Sequence, residues 1–459
     1  MKDRLKDIMT CDRTFILLVM LVFLSLQIVV AVIQNPISEN TIVELTEIPD
    51  GKWYYQSARN FSNSPHLVPA NFVWDYAFPP GYPIFLSLFM VSVHHVQIII
   101  LVQILIVCAT IAFAFMSFRN IMAGVNYRVS TLLFAFNPLV LFTAFTFNTE
   151  IIAFLLITLS FYFFTLFLKG QRYSHLFLFA MCISTSNYFR ISTVPLLLVI
   201  PLVFFFGKNT LIKKLTYAIL FVLISQMALL PWRIRNLFFY DSLKFTASAD
   251  FNFYIKFTKE VMEFDKENTC NSEIAYLDSL HKDWIDKSET PYAKFRASNP
   301  FKVDYIARCL GYLQRRPLSV VIVFSKNVIK SAAGSNMYFI HTFLGKNYGE
   351  SGLKGEAVRT KLESFVHMPL SALLFFFFAV LYKLVFIVLV IGIFIDRAWP
   401  RYINWKLHSF TILVFVYVIL ISGMMGIARF RLPFLAPLFA LLFTPSNWFF
   451  RRRANKTQP

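Results

Sequence analysis

Charge is the first shortage in this chain. Of its 459 residues only 15% are charged, against 57% hydrophobic, whereas a water-soluble domain usually carries about 25% charged side chains. A core of this size cannot hide so much apolar surface. A soluble multidomain protein is therefore excluded, and the excess must face lipid. Acids are scarcer still: 25 Asp and Glu stand against 44 Lys and Arg, a formal net charge of +19. The basic residues fall mostly between long apolar runs, so the excess reads as membrane topology and not as a nucleic-acid platform. Cys11, Cys108, Cys182, Cys270 and Cys309 show no CxxC spacing, which argues against a zinc or redox site. Cys270 and Cys309 share one long connection and would pair only in an oxidising compartment. No repeat, heptad or low-complexity stretch is present.

What the chain has in quantity is apolar runs of about 20 residues, the length a membrane helix needs. The first, 14–34, follows Lys2, Arg4, Lys6 and Arg13. It is too long for a signal-peptide core and lacks a small-residue cleavage site, so it is predicted as a helix with its N-terminus inside. Runs at about 96–116, 130–147, 150–168, 174–188, 191–206, 213–231, 371–395, 408–426 and 433–450 bring the expected total to ten. Arg119 and Arg128, then Lys169 and Arg172, then Lys208, Lys213 and Lys214, then Arg397, Arg401 and Lys406 follow alternate spans. With ten spans all of them share the side of the N-terminus and of the tail arginines Arg451–Arg453, as the positive-inside rule demands.

The predicted class is an all-α polytopic membrane protein. Its expected parts are a cytoplasmic N-terminus and first span (1–34), a first outer loop (35–95), a block of spans (96–231), a second long outer loop (232–370), the C-terminal spans (371–450) and a basic cytoplasmic tail (451–459). Ile84–Val93 is apolar but short and is expected to lie in the interface. Pro317–Ile340 is long enough to span but carries Lys326 and Lys330. Counting either segment alone would reverse the side of neighbouring basic loops, so both are placed at the outer face.

Because acids are rare, each one near a span end is informative: an ionisable group at membrane depth costs about 3 kcal/mol or more. Asp50, Asp75 and Glu150 fall at the outer face, beside Arg190, Arg233, Arg235, Arg429 and Arg431. Guanidinium forks match phosphate oxygens, and a carboxylate can take a proton from an attacking hydroxyl. Such a collection points to work on a phosphorylated, lipid-borne substrate. Plainer readings compete. Asp50 would also cap a helix beginning at Gly51, and Glu150 would favour a helix N-terminus through the dipole. Tyr54 fits an interfacial aromatic belt. Lys52, Arg233 and Arg431 fit simple anchors, and His94–His95 a solvated turn.

The order of short motifs resembles a known family. Asp50-Gly-Lys-Trp-Tyr54 is followed by Phe78-Pro-Pro80-Gly81-Tyr82-Pro83, Phe147-Asn-Thr-Glu150, Tyr188-Phe-Arg190, Leu230-Pro-Trp-Arg233-Ile-Arg235-Asn236 and Ala428-Arg429-Phe-Arg431-Leu-Pro433. This looks like the GT-C superfamily of membrane glycosyltransferases, in the branch of the protein O-mannosyltransferases and the lipid A aminoarabinose transferase. The segment from about 245 to 365 matches poorly. The resemblance implies a GT-C-type bundle of about 10–12 transmembrane helices. It implies sugar transfer from a polyprenyl- or dolichyl-phosphate donor to a protein, lipid or glycan acceptor at the outer face. Asp50 stands at the position of the catalytic base and Glu150 at a second acidic position. Tyr54, Tyr82 and Arg190 are carried over as substrate-binding, and Arg235 and Arg429 as partners of the donor phosphate. Gly51 stands where the family often has a second acid, which puts a metal-binding acidic pair in doubt. No cofactor is required: a divalent metal could help, but an all-Arg clamp suffices chemically. The expected location is the plasma (inner) membrane, or the endoplasmic reticulum membrane in a eukaryote. A transporter or flippase of lipid-linked saccharides is the competing class, and it would favour internal repeats and charges at mid-membrane. A polysaccharide polymerase would share the arginines without needing the Asp50 loop.

Overall fold

The computed structural model describes residues 2–34, 51–63, 79–90, 96–122, 126–145, 149–206, 209–240, 242–246, 257–265, 303–333, 381, 405–425 and 432–443. Of these 90% are helical and none forms a strand. In chain order the helices are α1 (Lys2–Gln34), α2 (Gly51–Asn63), α3 (Gly81–Met90), α4 (Val96–Ile121), α5 (Asn126–Ala135), α6 (Pro138–Thr143), α7 (Glu150–Gly170) and α8 (Tyr173–Ser186). There follow α9 (Val194–Val199), flanked by 3-10 turns at Ile191–Thr193 and Ile200–Phe205, then α10 (Leu211–Tyr240), α11 (Thr258–Asp265), α12 (Val303–Arg315), α13 (Pro317–Ala333), α14 (Trp405–Met425) and α15 (Leu435–Phe443).

Four of these helices are long and apolar enough to cross a membrane, over Cys11–Ala31, Ile98–Ile121, Glu150–Gly170 and Leu211–Phe239. The chain is a helical membrane protein. Two predicted spans are broken, each at proline. Over 130–147 the helix stops at Ala135 and restarts at Pro138, because a residue preceding proline is pushed out of the helical region. Asn137 then caps the new helix, its Oδ1 accepting from the Leu139 amide at 2.9 Å. Over 191–206, Pro195 and Pro201 stand at the starts of successive short pieces. The run predicted to end at 231 goes on instead to Tyr240, with Pro231 inside the helix. Pro231 lacks the amide for one ladder bond. Near that gap the Ala228 carbonyl accepts the Tyr188 hydroxyl at 2.8 Å. The predicted 371–395 span lies outside the described residues but for position 381, as does Cys270. Cys309 is buried beside α11 and α13.

Lipid tails are as apolar as leucine, so helices in a membrane associate through close packing and polar bonds more than by escape from water. α1 turns Leu17, Leu21 and Ile28 outward while Val19, Phe23 and Gln27 are buried. The largest fully buried side chains are nearly all phenylalanine: Phe164 meets Phe410 with ring centroids 4.4 Å apart, Phe179 at 5.1 Å, and Phe134 meets Phe154 at 5.3 Å. Such pairs contribute about 0.5–1.5 kcal/mol each beyond simple burial.

The bundle has two chemically different ends. At one end Asp12 Oδ1 of α1 accepts from Arg128 (2.9 Å) and Tyr127 (2.6 Å), and its Oδ2 forms an ion pair with Arg119 at 3.1 Å. Nearby the Lys169 ammonium donates to Asn120 at 2.7 Å, and the Tyr173 and Tyr217 rings meet at 5.8 Å. The starts of α5, α8 and α10 and the ends of α4 and α7 therefore share this end. The basic groups Arg119, Arg128 and Lys169, expected on one side, lie together there. The other end carries Glu150, Arg190, Tyr82 and Arg235.

Candidate functional site

Arg190 owes its position to the polar sequence Ser186-Asn187-Tyr188-Phe189-Arg190 that stops α8. The Asn187 side-chain amide donates to the carbonyls of Ile183 (3.0 Å) and Ser184 (3.1 Å) in the last turn of α8. The Thr193 hydroxyl donates to Asn187 Oδ1 at 2.6 Å, and the Arg190 amide to Ser186 O at 2.8 Å. These bonds fix the Arg190 backbone between α8 and the following 3-10 turn. From there Arg190 Nη1 reaches Glu150 Oε1 at 2.5 Å, with the side chains 7% and 4% exposed. Glu150 is the first residue of α7, where the dipole adds support for a negative charge. A dry ion pair of this kind recovers its desolvation only with good geometry and further hydrogen bonds.

The α2–α3 region is seated on the same turn. The Gly81 amide donates to Tyr188 O at 2.6 Å. A Cβ at position 81 would lie 2.6 Å from that oxygen, so glycine is what allows the approach. Tyr82, next in sequence, is fully buried. Its hydroxyl donates to Gln103 Oε1 at 2.8 Å, and Gln103 Nε2 donates to Ala144 O at 2.7 Å. Gln27 Nε2 likewise reaches Leu141 O at 2.9 Å. Leu141 stands in the last turn of α6 and Ala144 just beyond it, so these two glutamines tie α1 and α4 to the end of that short helix. Tyr54 of α2 stands edge-on to Tyr82, centroids 5.5 Å apart.

Arg235 completes the described part. It is buried near the end of α10, its guanidinium 4.2 Å from the Trp232 ring centroid and 5.5 Å from that of Phe239. It donates to Asn236 Oδ1 at 3.0 Å, and Asn236 in turn holds the returning chain through the Lys244 and Phe245 carbonyls (3.0 and 2.8 Å). The Phe245 ring stands perpendicular to Tyr188, 5.1 Å away, so α10 and the Arg190 turn meet here.

Among the residues singled out in sequence, Glu150 and Arg190 form one ion pair, Tyr54 and Tyr82 one aromatic pair, and Arg235 approaches through Trp232 and Phe245. Asp50 and Arg429 lie outside the described residues; Asp50 directly precedes α2, which begins at Gly51 as expected. Among the described residues no three His, Cys, Asp or Glu side chains converge. Sequence reasoning passed over Gln103, Gln27, Trp232 and Tyr417. The signal for the glutamines was present: an amide inside an apolar run needs a partner, because nothing in hydrocarbon supplies one. Tyr417, buried in α14, carries no such mark. No family model matches the chain, and comparison with curated proteins and with solved structures gives no match.

Proposed function

We propose that this protein is a membrane glycosyltransferase of the GT-C kind, moving a sugar from a polyprenyl- or dolichyl-phosphate to an acceptor hydroxyl. The buried Glu150–Arg190 pair carries the reading: it lies beside the Tyr54–Tyr82 platform, at the bundle end opposite the basic loops. With the basic loops inside, as the positive-inside rule has it, that end faces outward, and the bundle is the ten-span arrangement read from the sequence. In the proposed step Asp50 takes the proton of the acceptor hydroxyl. The acceptor oxygen forms a bond to the anomeric carbon while the bond from that carbon to the phosphate oxygen breaks, inverting the donor linkage. The electron pair leaves on the lipid phosphate, where Arg235 and Arg429 meet its charge. One preorganised donor of this type contributes about 3–4 kcal/mol to a transition state. The protein then sits in a plasma or inner membrane, or in the endoplasmic reticulum.

The test is transfer of radiolabelled sugar from a prenyl-phosphate donor into a membrane extract by purified wild type and Asp50→Asn. Transfer by the wild type alone supports the reading. Equal transfer by Asp50→Asn removes Asp50 as base, and sugar crossing the bilayer without transfer points to a flippase instead.

A further inference from the structure

We infer that the exposed side of α4 seats one anionic diacyl phospholipid, its headgroup held at the basic end by Arg119 and Lys169. Ile98, Leu101, Leu105, Ala112, Met116 and Arg119 recur along α4 at helical spacing and so form one line. The first three are large apolar side chains left exposed, Ala112 and Met116 are half-buried, and the Arg119 side chain is 44% exposed. From Ile98 to Arg119 the line rises about 32 Å, close to the hydrocarbon thickness of a bilayer, about 30 Å. Two helices flank it. α1 meets α4 through Phe15 and Phe115, ring centroids 5.9 Å apart, and through the Asp12–Arg119 ion pair. α7 meets it through Tyr162 and Phe113 at 5.6 Å, and through the Asn120 amide, which donates to Thr165 at 3.0 Å. Seen down the helix, Phe113 and Phe115 stand about 160° apart, and the whole line falls in the arc between them. The result is an apolar furrow on α4 with α1 on one side and α7 on the other.

Charge names the occupant. Lys169 Nζ donates to Asn120 Oδ1 at 2.7 Å, which sets an ammonium against the last turn of α4, next to Arg119. Asp12 balances only one of the Arg119, Arg128 and Lys169 charges, and its Oδ1 is already taken by Arg128 and Tyr127. Arg119 and Lys169 each make one polar contact among the described residues, and a guanidinium and an ammonium both carry further N–H donors for phosphate oxygens. Basic groups between membrane helices on the cytoplasmic side suit anionic headgroups, and the positive-inside rule gives this end to that side. The furrow above takes an acyl chain. A second copy of the chain meeting this face by two-fold symmetry would bring like charges together, so the lipid is the better fit.

The full chain in a neutral detergent would be titrated with phosphatidylglycerol and with phosphatidylcholine of equal chain length, and bound lipids counted by native mass spectrometry. One phosphatidylglycerol should bind more tightly than any phosphatidylcholine. Lys169→Gln, which touches only an exposed ammonium, should weaken it about fivefold, the worth of one cation near a lipid surface. Arg119→Gln with Lys169→Gln should weaken it about 25-fold by the same measure. Lys213→Gln with Lys214→Gln removes as much charge from the same end, on α10, and should leave the affinity nearly unchanged. Equal losses from the two pairs would make the attraction a diffuse field and overturn the inference, and so would phosphatidylcholine binding as well as phosphatidylglycerol. Glycerophosphoglycerol, the headgroup without its chains, should not bind at these concentrations; binding as tight as the lipid's would give the cations to a free phosphodiester and leave the furrow no part. A lipid-free dimer broken by Leu105→Trp would give the face to a second copy and overturn the inference as well.

Discussion

The two ends of the bundle spend their charges differently. At the basic end one buried carboxylate, Asp12, meets two guanidiniums and a phenol, and the arginines keep much of their surface in solvent: Arg119 is 44% and Arg128 29% exposed. The Asp12 hydrogen bond pushes the Arg128 pKa up, and burial together with Asp12 raises that of Tyr127. Cations are in excess there, and water can replace any one of them. At the opposite end Glu150 and Arg190 pair with each other while almost fully buried, their side chains 4% and 7% exposed. Redundant, wet pairing tolerates loss and suits an anchor. Dry pairing does not tolerate it, and it holds a carboxylate and a guanidinium in one fixed orientation.

Single substitutions should separate the ends sharply. Glu150→Ala removes a buried carboxylate from beside the Arg190 guanidinium, a loss of about 3–5 kcal/mol. It should appear as a large drop in melting temperature, with much of the loss recovered in the Glu150→Gln, Arg190→Met double variant. A drop no greater than that of a surface mutation would erase the contrast. Gly81→Ala forces a methyl against Tyr188 O and should cost about 1–3 kcal/mol. Faster proteolysis of the region around α2 and α3 than in wild type would report the lost seat. Gln103→Leu, which strands the Tyr82 hydroxyl and the Ala144 carbonyl, should cost a similar 1–3 kcal/mol or so by chemical denaturation. At the basic end Arg119→Gln should change stability by about 1 kcal/mol or less, and by less still at high salt. A salt-independent loss of several kcal/mol there would show that the basic end is as dry as the other.

Much of this arrangement was legible in the sequence, for reasons that can be named. The apolar runs and the alternation of basic loops act over one helix length, so α1, α4, α7 and the common end of Arg119, Arg128 and Lys169 follow from local pattern. The start of α2 at Gly51 follows from the Asp50-Gly51 sequence and that of α7 at Glu150 from the preference of an acidic residue for a helix N-terminus, though Thr149 makes no side-chain cap bond there. The breaks at Pro138, Pro195 and Pro201 were also printed in the chain, but hydropathy averages over proline and so joins what it divides. The end of α10 was misjudged in the opposite sense: Pro231 reads as a stop, while Trp232 to Tyr240 hold the helix on. The pairing of Glu150 with Arg190 was beyond local reasoning. It depends on the knot of Asn187 and Thr193 at the end of α8, and on the side-by-side packing of α7 and α8. The burial of Tyr417 is likewise visible only once α14 is in place.

The bare hydrogen of Gly81 has a consequence for biogenesis. Its amide partner, the Tyr188 carbonyl, leaves the ribosome only after the helices from α4 to α8 have been made. Until then α3 has only its Tyr82 bond to Gln103 of α4 to hold it, and the Gly81 part of the seat is missing. The early part of this chain must therefore wait for a later one, and contacts between distant segments form slowly. A pause in synthesis shortly before residue 188 would lengthen the time that this region is open to proteases and chaperones.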